Sequence, residues 1–258
     1  MKVGKRLDAV DLSLHIETKE DYKSKLKKAQ NELLHLQQDI FQQNIPCIFV
    51  FEGWDAAGKG GAIKRITEKI DPRGFQVHPI AAPTSEEQQF HYLHRFWKRL
   101  PPHGQIALFD RSWYGRVLVE RIEGFATKDE WQRGYDEINQ FEKLLHDDGY
   151  VIHKFWFHIS KVEQHKRFIK RQHHPLKRWK LTDEDWRNRE KWDEYEVAVE
   201  DMLEKTDTSY APWTIIEGND KWHARLKTLN VVIEAMKSHL QKNSAIQGII
   251  DQNNYINQ

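Results

Sequence analysis

The 258-residue sequence contains one cysteine, Cys47. An intramolecular disulfide framework is therefore excluded. Cys47 precedes an apolar run and reads as a small buried core residue rather than a reactive thiol. No apolar stretch approaches the ~18 residues of a membrane span. The start, Met1-Lys-Val-Gly-Lys-Arg-Leu7, lacks the apolar core of a secretory signal. A cytoplasmic protein with no membrane partner is the expectation. Net charge is nearly absent as well: 40 Lys and Arg stand against 39 Asp and Glu, leaving +1. That balance does not point to a nucleic-acid partner, although a local basic patch can hide inside a neutral total. No internal repeat of fixed period is visible.

The chain is 39% hydrophobic and 31% charged. It can bury a proper core, and it reads as soluble. Its length suits one α/β domain, or one domain with an appended lid.

The most specific segment is Phe49-Val-Phe-Glu-Gly-Trp-Asp-Ala-Ala-Gly-Lys-Gly-Gly61. An apolar run leads into a glycine loop, then a lysine, then a helical pattern. That layout makes a phosphate-binding loop, in which backbone N–H groups and a helix N-terminus hold phosphate oxygens. Gly53 to Gly58-Lys59 fits G-x-x-x-x-G-K. Gly60 stands where Ser or Thr is usual, so a Mg²⁺ ion needs another ligand. Asp55, inside the loop, is the nearest candidate, with a plain turn-forming role as its alternative. Gly53, Ala57, Gly58, Lys59, Gly60 and Gly61 form the phosphate-binding set. Lys64 and Arg65, one turn along the helix, are counted with it.

Strands are expected at 48–51, 75–78, 105–109, 150–159 and 213–216. Helices are expected at 21–44, 58–70, 84–100, 128–146, 161–172, 183–205 and from about 221 to 240. Thr84 with Glu87 reads as a capping box. The polar tail from Asn243 has little periodicity and is expected to lack regular structure. Short apolar strands alternating with helices argue for a parallel sheet covered on both faces.

Ile106-Ala-Leu-Phe-Asp110 is an apolar strand ending in an acid. Taken with the loop, it suits the magnesium-binding aspartate of a nucleotide kinase; the alternative is a helix N-cap. Arg111 and Arg116 should lie near the same strand end, where ligands bind in open α/β sheets.

Lys161 to Lys180 carries eight Lys and Arg residues against the single acid Glu163. A charge run is usually a solvated face. Here the scarcity of acids favours an anion-binding lid, with Arg167 and Arg171 on one helix face. Eight cations suggest an anion longer than one nucleotide triphosphate. His173 and His174 read as phosphate contacts or surface residues rather than metal ligands. Trp186 and Trp192 are expected to fix the lid helices, and Trp179 could stack on a base.

Three segments together resemble the polyphosphate kinase 2 family: Gly53 to Gly61, Phe109-Asp-Arg-Ser-Trp-Tyr-Gly-Arg116, and Lys177-Arg-Trp-Lys-Leu181 with Asp185 beyond it. The resemblance runs from about residue 20 to 240. It implies a P-loop kinase fold and Mg²⁺-dependent phosphoryl transfer between inorganic polyphosphate and a nucleotide, with Mn²⁺ as a possible substitute. It implies that Asp55 and Asp110 bind the metal. Lys59 binds the transferred phosphoryl group and Arg111 the nucleotide phosphates. Arg167, Arg171, Lys177 and Lys180 fall on lid positions that contact polyphosphate or nucleotide, and Lys170, beside the two arginines, is counted with the phosphate-binding candidates. Arg116 and Glu120 join Asp55 and Arg111 as nucleotide-binding candidates.

The stretch from Trp113 to Phe125 is most similar to polyphosphate:AMP phosphotransferases. Diphosphate-accepting members commonly have Asn where Gly115 stands here, so AMP is preferred to ADP as acceptor. AMP-specific members are often two fused kinase domains, and this sequence has room for one. The resemblance also implies a homo-oligomer, a dimer or a dimer of dimers (tetramer), with the first and last helices as contact surfaces or as intramolecular packing. The domain reading is a helical extension over 1–44, the kinase domain over 45–242 with a lid at about 161–205, and a polar tail over 243–258. An ATP-dependent nucleoside monophosphate kinase and a non-catalytic polyphosphate-binding module are the rival readings.

Overall fold

Five parallel strands form one sheet in the computed structural model, which describes residues 6–256, with side chains through Gln241 except that of Lys180. Met1 to Lys5, part of the segment examined for a secretory signal, and Asn257 and Gln258 of the expected tail lie outside the described residues. The strands are β1 (Cys47–Gly53), β2 (Phe75–Pro79), β3 (Ile106–Asp110), β4 (Val151–His158) and β5 (Trp213–Glu217), in the order β2-β3-β1-β4-β5. All five expected strands are present, with ends shifted by a residue or two. Strand β1 is central and buried on both faces, so it reads as an unbroken apolar run rather than an alternating one. Cys47 is fully buried within it, and burial pushes its thiol pKa up.

The helices are α1 (Lys19–Gln42), α2 (Lys59–Thr67), α3 (His94–Trp97), α4 (Val119–Ile122), α5 (Lys128–Asp147), α6 (Lys161–Gln172), α7 (Asp183–Glu190), α8 (Trp192–Thr206) and α9 (Lys221–Ile256). Thr18 caps α1 by accepting from the Asp21 N–H at 3.2 Å. The apolar stripe of α1, including Ala29, Leu33, Leu36 and Ile40, joins the main core and packs along α9. The first and last helices therefore pack on each other within the chain. Thr127 and Glu130 form a capping box that starts α5. Among the described residues, no helix is long and apolar enough to cross a membrane.

Three helical expectations are corrected. The 84–100 segment is not one helix. The Thr84–Glu87 box is made, but it leads into a short 3-10 turn at Glu87–Gln89, and only α3 is α-helical. Arg95 and Arg99 fold back onto Glu87, at 3.4 and 2.9 Å, so tertiary pairing overrides the helical period. The 183–205 segment breaks at Lys191 into α7 and α8. The break turns Trp192 into a stack on Trp54, while α7 sends Asn188 to Asp55. Finally, α9 continues past the expected end near Leu240 and carries residues of the supposed irregular tail through Ile256.

Candidate active site

The phosphate loop joins β1 to α2. A Cβ on Gly53 would lie 2.5 Å from the Phe157 carbonyl oxygen, so only glycine lets β1 leave the sheet beside β4. The Trp54 N–H donates to that same carbonyl at 3.2 Å. Ala56 has a left-handed backbone, φ 62°, a conformation that costs a non-glycine residue about 1 kcal/mol and is held here by its surroundings. Gly58 is the N-cap of α2 and offers no side-chain acceptor to the first-turn N–H groups. Those donors suit phosphate oxygens. Lys59 opens α2, and its Nζ donates to the carbonyls of Gly53 at 2.7 Å and Trp54 at 3.4 Å. Lys64 and Arg65 stand a turn further on; Lys64 is exposed, and Arg65 pairs with Glu68 at 3.2 Å.

Asp110 ends β3 opposite Phe51 of β1. A Cβ on Gly60 would lie 3.8 Å from Asp110 Oδ2, so this carboxylate faces the place of the hydroxyl that the loop lacks. Asp55 Oδ1 accepts from Arg111 Nη2 at 3.2 Å, and its Oδ2 accepts from Asn188 Nδ2 at 3.0 Å. Arg111 is also left-handed, φ 67°, as the chain turns out of β3. Burial pulls its pKa down, but Asp55, Glu52, Glu184 and Asp110 outweigh burial and leave it raised. Beneath it lies buried Glu52, which accepts from Ser112 Oγ at 2.8 Å. Burial pushes the Glu52 carboxyl pKa up, against the pull of Lys59, Ser112 and Arg111.

No group of three or more His, Cys, Asp or Glu side chains among the described residues could hold a metal alone. Two hard carboxylates beside a phosphate loop do suit Mg²⁺, which commonly takes one or two carboxylates and completes its shell with water and substrate phosphates.

A cleft of about 970 Å³ opens between the loop, the segments that follow β2 and β3, and residues beyond β4 that include Gln164, Glu184, Asn188 and Tyr195. Asp55, Arg111, Arg116, Glu120, Phe90 and Tyr92 line it. Arg116 lies over the Tyr92 ring at 4.4 Å and pairs with Glu120 at 3.2 Å. Burial raises the Glu120 carboxyl pKa, opposed by Arg116 and Arg95. A Cβ on Gly115 would meet Val119 and Glu120 only at ordinary contact, 3.7 and 3.9 Å.

The lid begins at α6. Arg167 is 5% exposed, and its guanidinium is committed to main-chain carbonyls. Nη1 donates to Ala56 at 3.0 Å and Ala57 at 2.8 Å; Nη2 donates to Gly218 at 2.6 Å and Asn219 at 2.9 Å. It clips the phosphate loop to the turn before α9, below the surface where the other lid cations stand. Lys170 and Arg171 occupy the last turn of α6, and Lys177 precedes a 3-10 turn at Arg178–Lys180. Trp186 packs edge-on to Phe168, and Trp192 stacks on Trp54 with centroids 3.8 Å apart. Trp179 is exposed. His174 Nδ1 accepts from the Leu176 N–H at 3.2 Å.

Sequence reasoning did not single out four contributors: Asn188, Gln164, Glu52 and Trp54. Gln164 Nε2 donates to the Asp55 carbonyl at 3.2 Å. Glu52 carried a signal, an acid inside an otherwise apolar strand. Trp54 stood inside the loop motif, but nothing there points to its stack on Trp192; Asn188 and Gln164 carried no signal, because their partners lie far along the chain.

Residues 16–244 match the family model described as polyphosphate kinase 2. A polyphosphate:AMP phosphotransferase of Pseudomonas syringae pv. tomato is 50% identical over 231 residues, covering 90% of this chain and 46% of that protein. The chain thus spans about half the length of that relative. An ADP-polyphosphate phosphotransferase of Pseudomonas aeruginosa is 42% identical over 215 residues, covering 83% of this chain and 71% of that protein. The crystal structure of a putative polyphosphate kinase 2 from Pseudomonas aeruginosa superposes with a TM-score of 0.89 at 49% identity, covering 92% of this chain and 50% of that one. With its parallel sheet and phosphate loop, the fold is that of the P-loop kinases, and the chain belongs to the polyphosphate kinase 2 family.

Proposed function

We propose that the protein transfers the terminal phosphoryl group of inorganic polyphosphate to a nucleotide, with AMP preferred to ADP. The observation that carries this is the Asp55–Arg111 pair. It stands between the phosphate loop and a cleft of nucleotide size, beneath a lid rich in cations. The preference for AMP rests on the likeness of the Trp113–Phe125 stretch and on the higher identity to the AMP-named relative.

The acceptor's phosphate oxygen is already an anion and needs no strong general base. It attacks the terminal phosphorus of the chain in line. The bond from that phosphorus to its bridging oxygen breaks, and a chain one phosphate shorter leaves. Such a loose transition state is served by positioning and charge neutralisation. Lys59 and the first-turn N–H groups of α2 hold the transferred phosphoryl group. Arg111 holds the acceptor phosphates, Arg116 and Glu120 shape the nucleotide cleft, and Lys170, Arg171, Lys177 and Lys180 bind the donor chain. Arg167 supports the loop from behind. Asp55 and Asp110 would hold Mg²⁺, or Mn²⁺ in its place, and the bound ion supplies charge neutralisation at the phosphate oxygens.

The test is long-chain polyphosphate and Mg²⁺ with AMP and ADP in separate reactions. ADP made from AMP supports the proposal. ATP made from ADP alone keeps the reaction class and overturns the acceptor. Transfer from ATP with polyphosphate inert overturns the donor, and tight polyphosphate binding without transfer overturns the enzyme reading.

A further inference from the structure

Arg111 and Arg116 both line the cleft, and the three residues after Arg111 are buried. Each of the three ties its side chain to a buried carboxylate. The Ser112 hydroxyl donates to Glu52 Oε1 on β1 at 2.8 Å. The Trp113 indole N–H donates to Glu142 Oε1 on α5 at 3.0 Å, and the Tyr114 hydroxyl donates to the same oxygen at 2.9 Å. Glu142 is in turn paired with Lys154 of β4 at 2.6 Å. Two buried acids on two different elements thus hold the stretch between the two cleft arginines.

The first of these ties sits directly beside Arg111. The Arg111 N–H donates to the Phe51 carbonyl at 3.0 Å, and the next residue bonds to Glu52. Consecutive residues are thereby pinned to consecutive residues of β1. The chain turns here through the left-handed Arg111 backbone, φ 67°, a conformation that persists only where its surroundings hold it. Ser112 Oγ also accepts from the Tyr114 N–H at 3.2 Å and caps the 3-10 turn Trp113–Arg116. One hydroxyl therefore fixes the exit from Arg111 and the start of the turn that ends at Arg116.

Burial of the stretch does not by itself require these acids. Trp113 stands edge-on to Phe109 and Phe141, and Tyr114 edge-on to Trp213. Aromatic packing of this kind buries a segment without a charge. A buried ion pair is often no more stabilising than well-packed apolar side chains of similar volume. What Glu142 adds is direction: one oxygen accepts from both side chains, so Trp113 and Tyr114 are held in one register.

We propose that Ser112, Trp113 and Tyr114, tied to Glu52 and Glu142, are positioning residues that set Arg111 and Arg116 for the acceptor nucleotide. This rests on the reading that the two arginines serve the acceptor.

The test measures steady-state kinetics with nucleotide and long-chain polyphosphate varied in turn. Ser112→Ala removes the first tie, and Ser112→Thr keeps its hydroxyl. Glu142→Leu with Lys154→Met removes the second tie without stranding a charge, and Glu142→Gln with Lys154→Met keeps the acceptor oxygen. KM for the nucleotide should rise about tenfold in Ser112→Ala and in Glu142→Leu with Lys154→Met, within the ~10²-fold that a 1 Å misplacement can cost. KM for polyphosphate should move less than about twofold, and the two conservative variants should stay within about threefold of wild type for both substrates. A purely structural loss would lower the amount of active enzyme, and so kcat, without moving either KM. Unchanged nucleotide KM in either disruptive variant, equal rises in both KM values, or no recovery in the conservative variants overturns the inference. Arg111→Gln separates it from the reading beneath it. If nucleotide KM rises there while the disruptive variants stay at wild type, only the inference falls. If Arg111→Gln leaves nucleotide KM in place, the acceptor role of Arg111 falls and this inference with it. Should Glu142→Leu with Lys154→Met not fold, the two Ser112 variants decide.

Discussion

The Asn188 amide donates to Asp55 Oδ2 at 3.0 Å, so a lid residue holds the carboxylate of the phosphate loop. The Tyr195 hydroxyl donates to Asn188 Oδ1 at 3.3 Å and fixes the orientation of the amide. The α7–α8 segment and the phosphate loop are therefore joined by a specific hydrogen bond as well as by the Trp54–Trp192 stack.

Removing that bond should act on turnover more than on donor binding. Asn188→Ala is expected to lower kcat about tenfold, the worth of one hydrogen bond to a charged group. KM for polyphosphate should move less than about twofold, because the lid cations remain. Asn188→Asp should lose more, since it sets a second carboxylate against Asp55. Steady-state kinetics with each substrate varied in turn decide this.

Arg167 should behave as a support and not as a surface cation. Arg167→Ala leaves four loop and turn carbonyls without their donor. The expected loss is about 3 kcal/mol of unfolding free energy in urea. Arg167→Lys should not rescue it, because one ammonium cannot span the two pairs of carbonyls. Lys170→Ala is expected to stay within about 0.5 kcal/mol of wild type while raising KM for polyphosphate.

Lys154 and Glu142 form a fully buried ion pair at 2.6 Å. Lys154 Nζ also donates to the Tyr114 hydroxyl at 2.7 Å and the Thr206 carbonyl at 2.8 Å. Burial pulls the lysine pKa down and pushes the glutamate pKa up, and each partner opposes that pull. Lys154→Met should cost about 3–5 kcal/mol, because the buried Glu142 carboxylate loses its counter-charge and keeps only the neutral donors Trp113 and Tyr114. The double change Lys154→Met with Glu142→Leu should cost much less than the sum of the single changes. A double-mutant cycle in urea tests it.

His153 gives a pH dependence. Burial, then Lys154, holds its pKa at about 4, below the ordinary 6.5, with Asp207 opposing. Between those values the unfolded chain binds more protons than the folded one. Stability should therefore fall as pH drops from 6.5 to about 4, and stay flat in this respect above 6.5. The loss should be on the order of 2 kcal/mol, discounted for partial exposure. Unfolding midpoints across that range should flatten in His153→Gln.

The sheet and the loop were legible because their signals are local. A buried parallel strand reads as an apolar run, and Gly53 to Gly61 spells its turn within nine positions. Asp110 was legible because it sits at a strand end whose partner loop was already known. The Asn188–Asp55 bond was not legible, since it joins residues 133 positions apart and neither carries a motif for it. Arg167 looked like its basic neighbours, and only the packing of α6 against the loop separates it from them. The 84–100 segment misled because its apolar spacing suits a helix, while the pairing of Glu87 with Arg95 and Arg99 folds it otherwise.

The most direct test of the account is ADP formation from AMP and long-chain polyphosphate by wild type, Lys59→Ala and Asp110→Asn in parallel. The account predicts turnover by wild type and a loss of ~10²–10³ or more in each variant, with unfolding midpoints unchanged. Near-normal turnover in either variant, or no polyphosphate-dependent product from wild type, would contradict it.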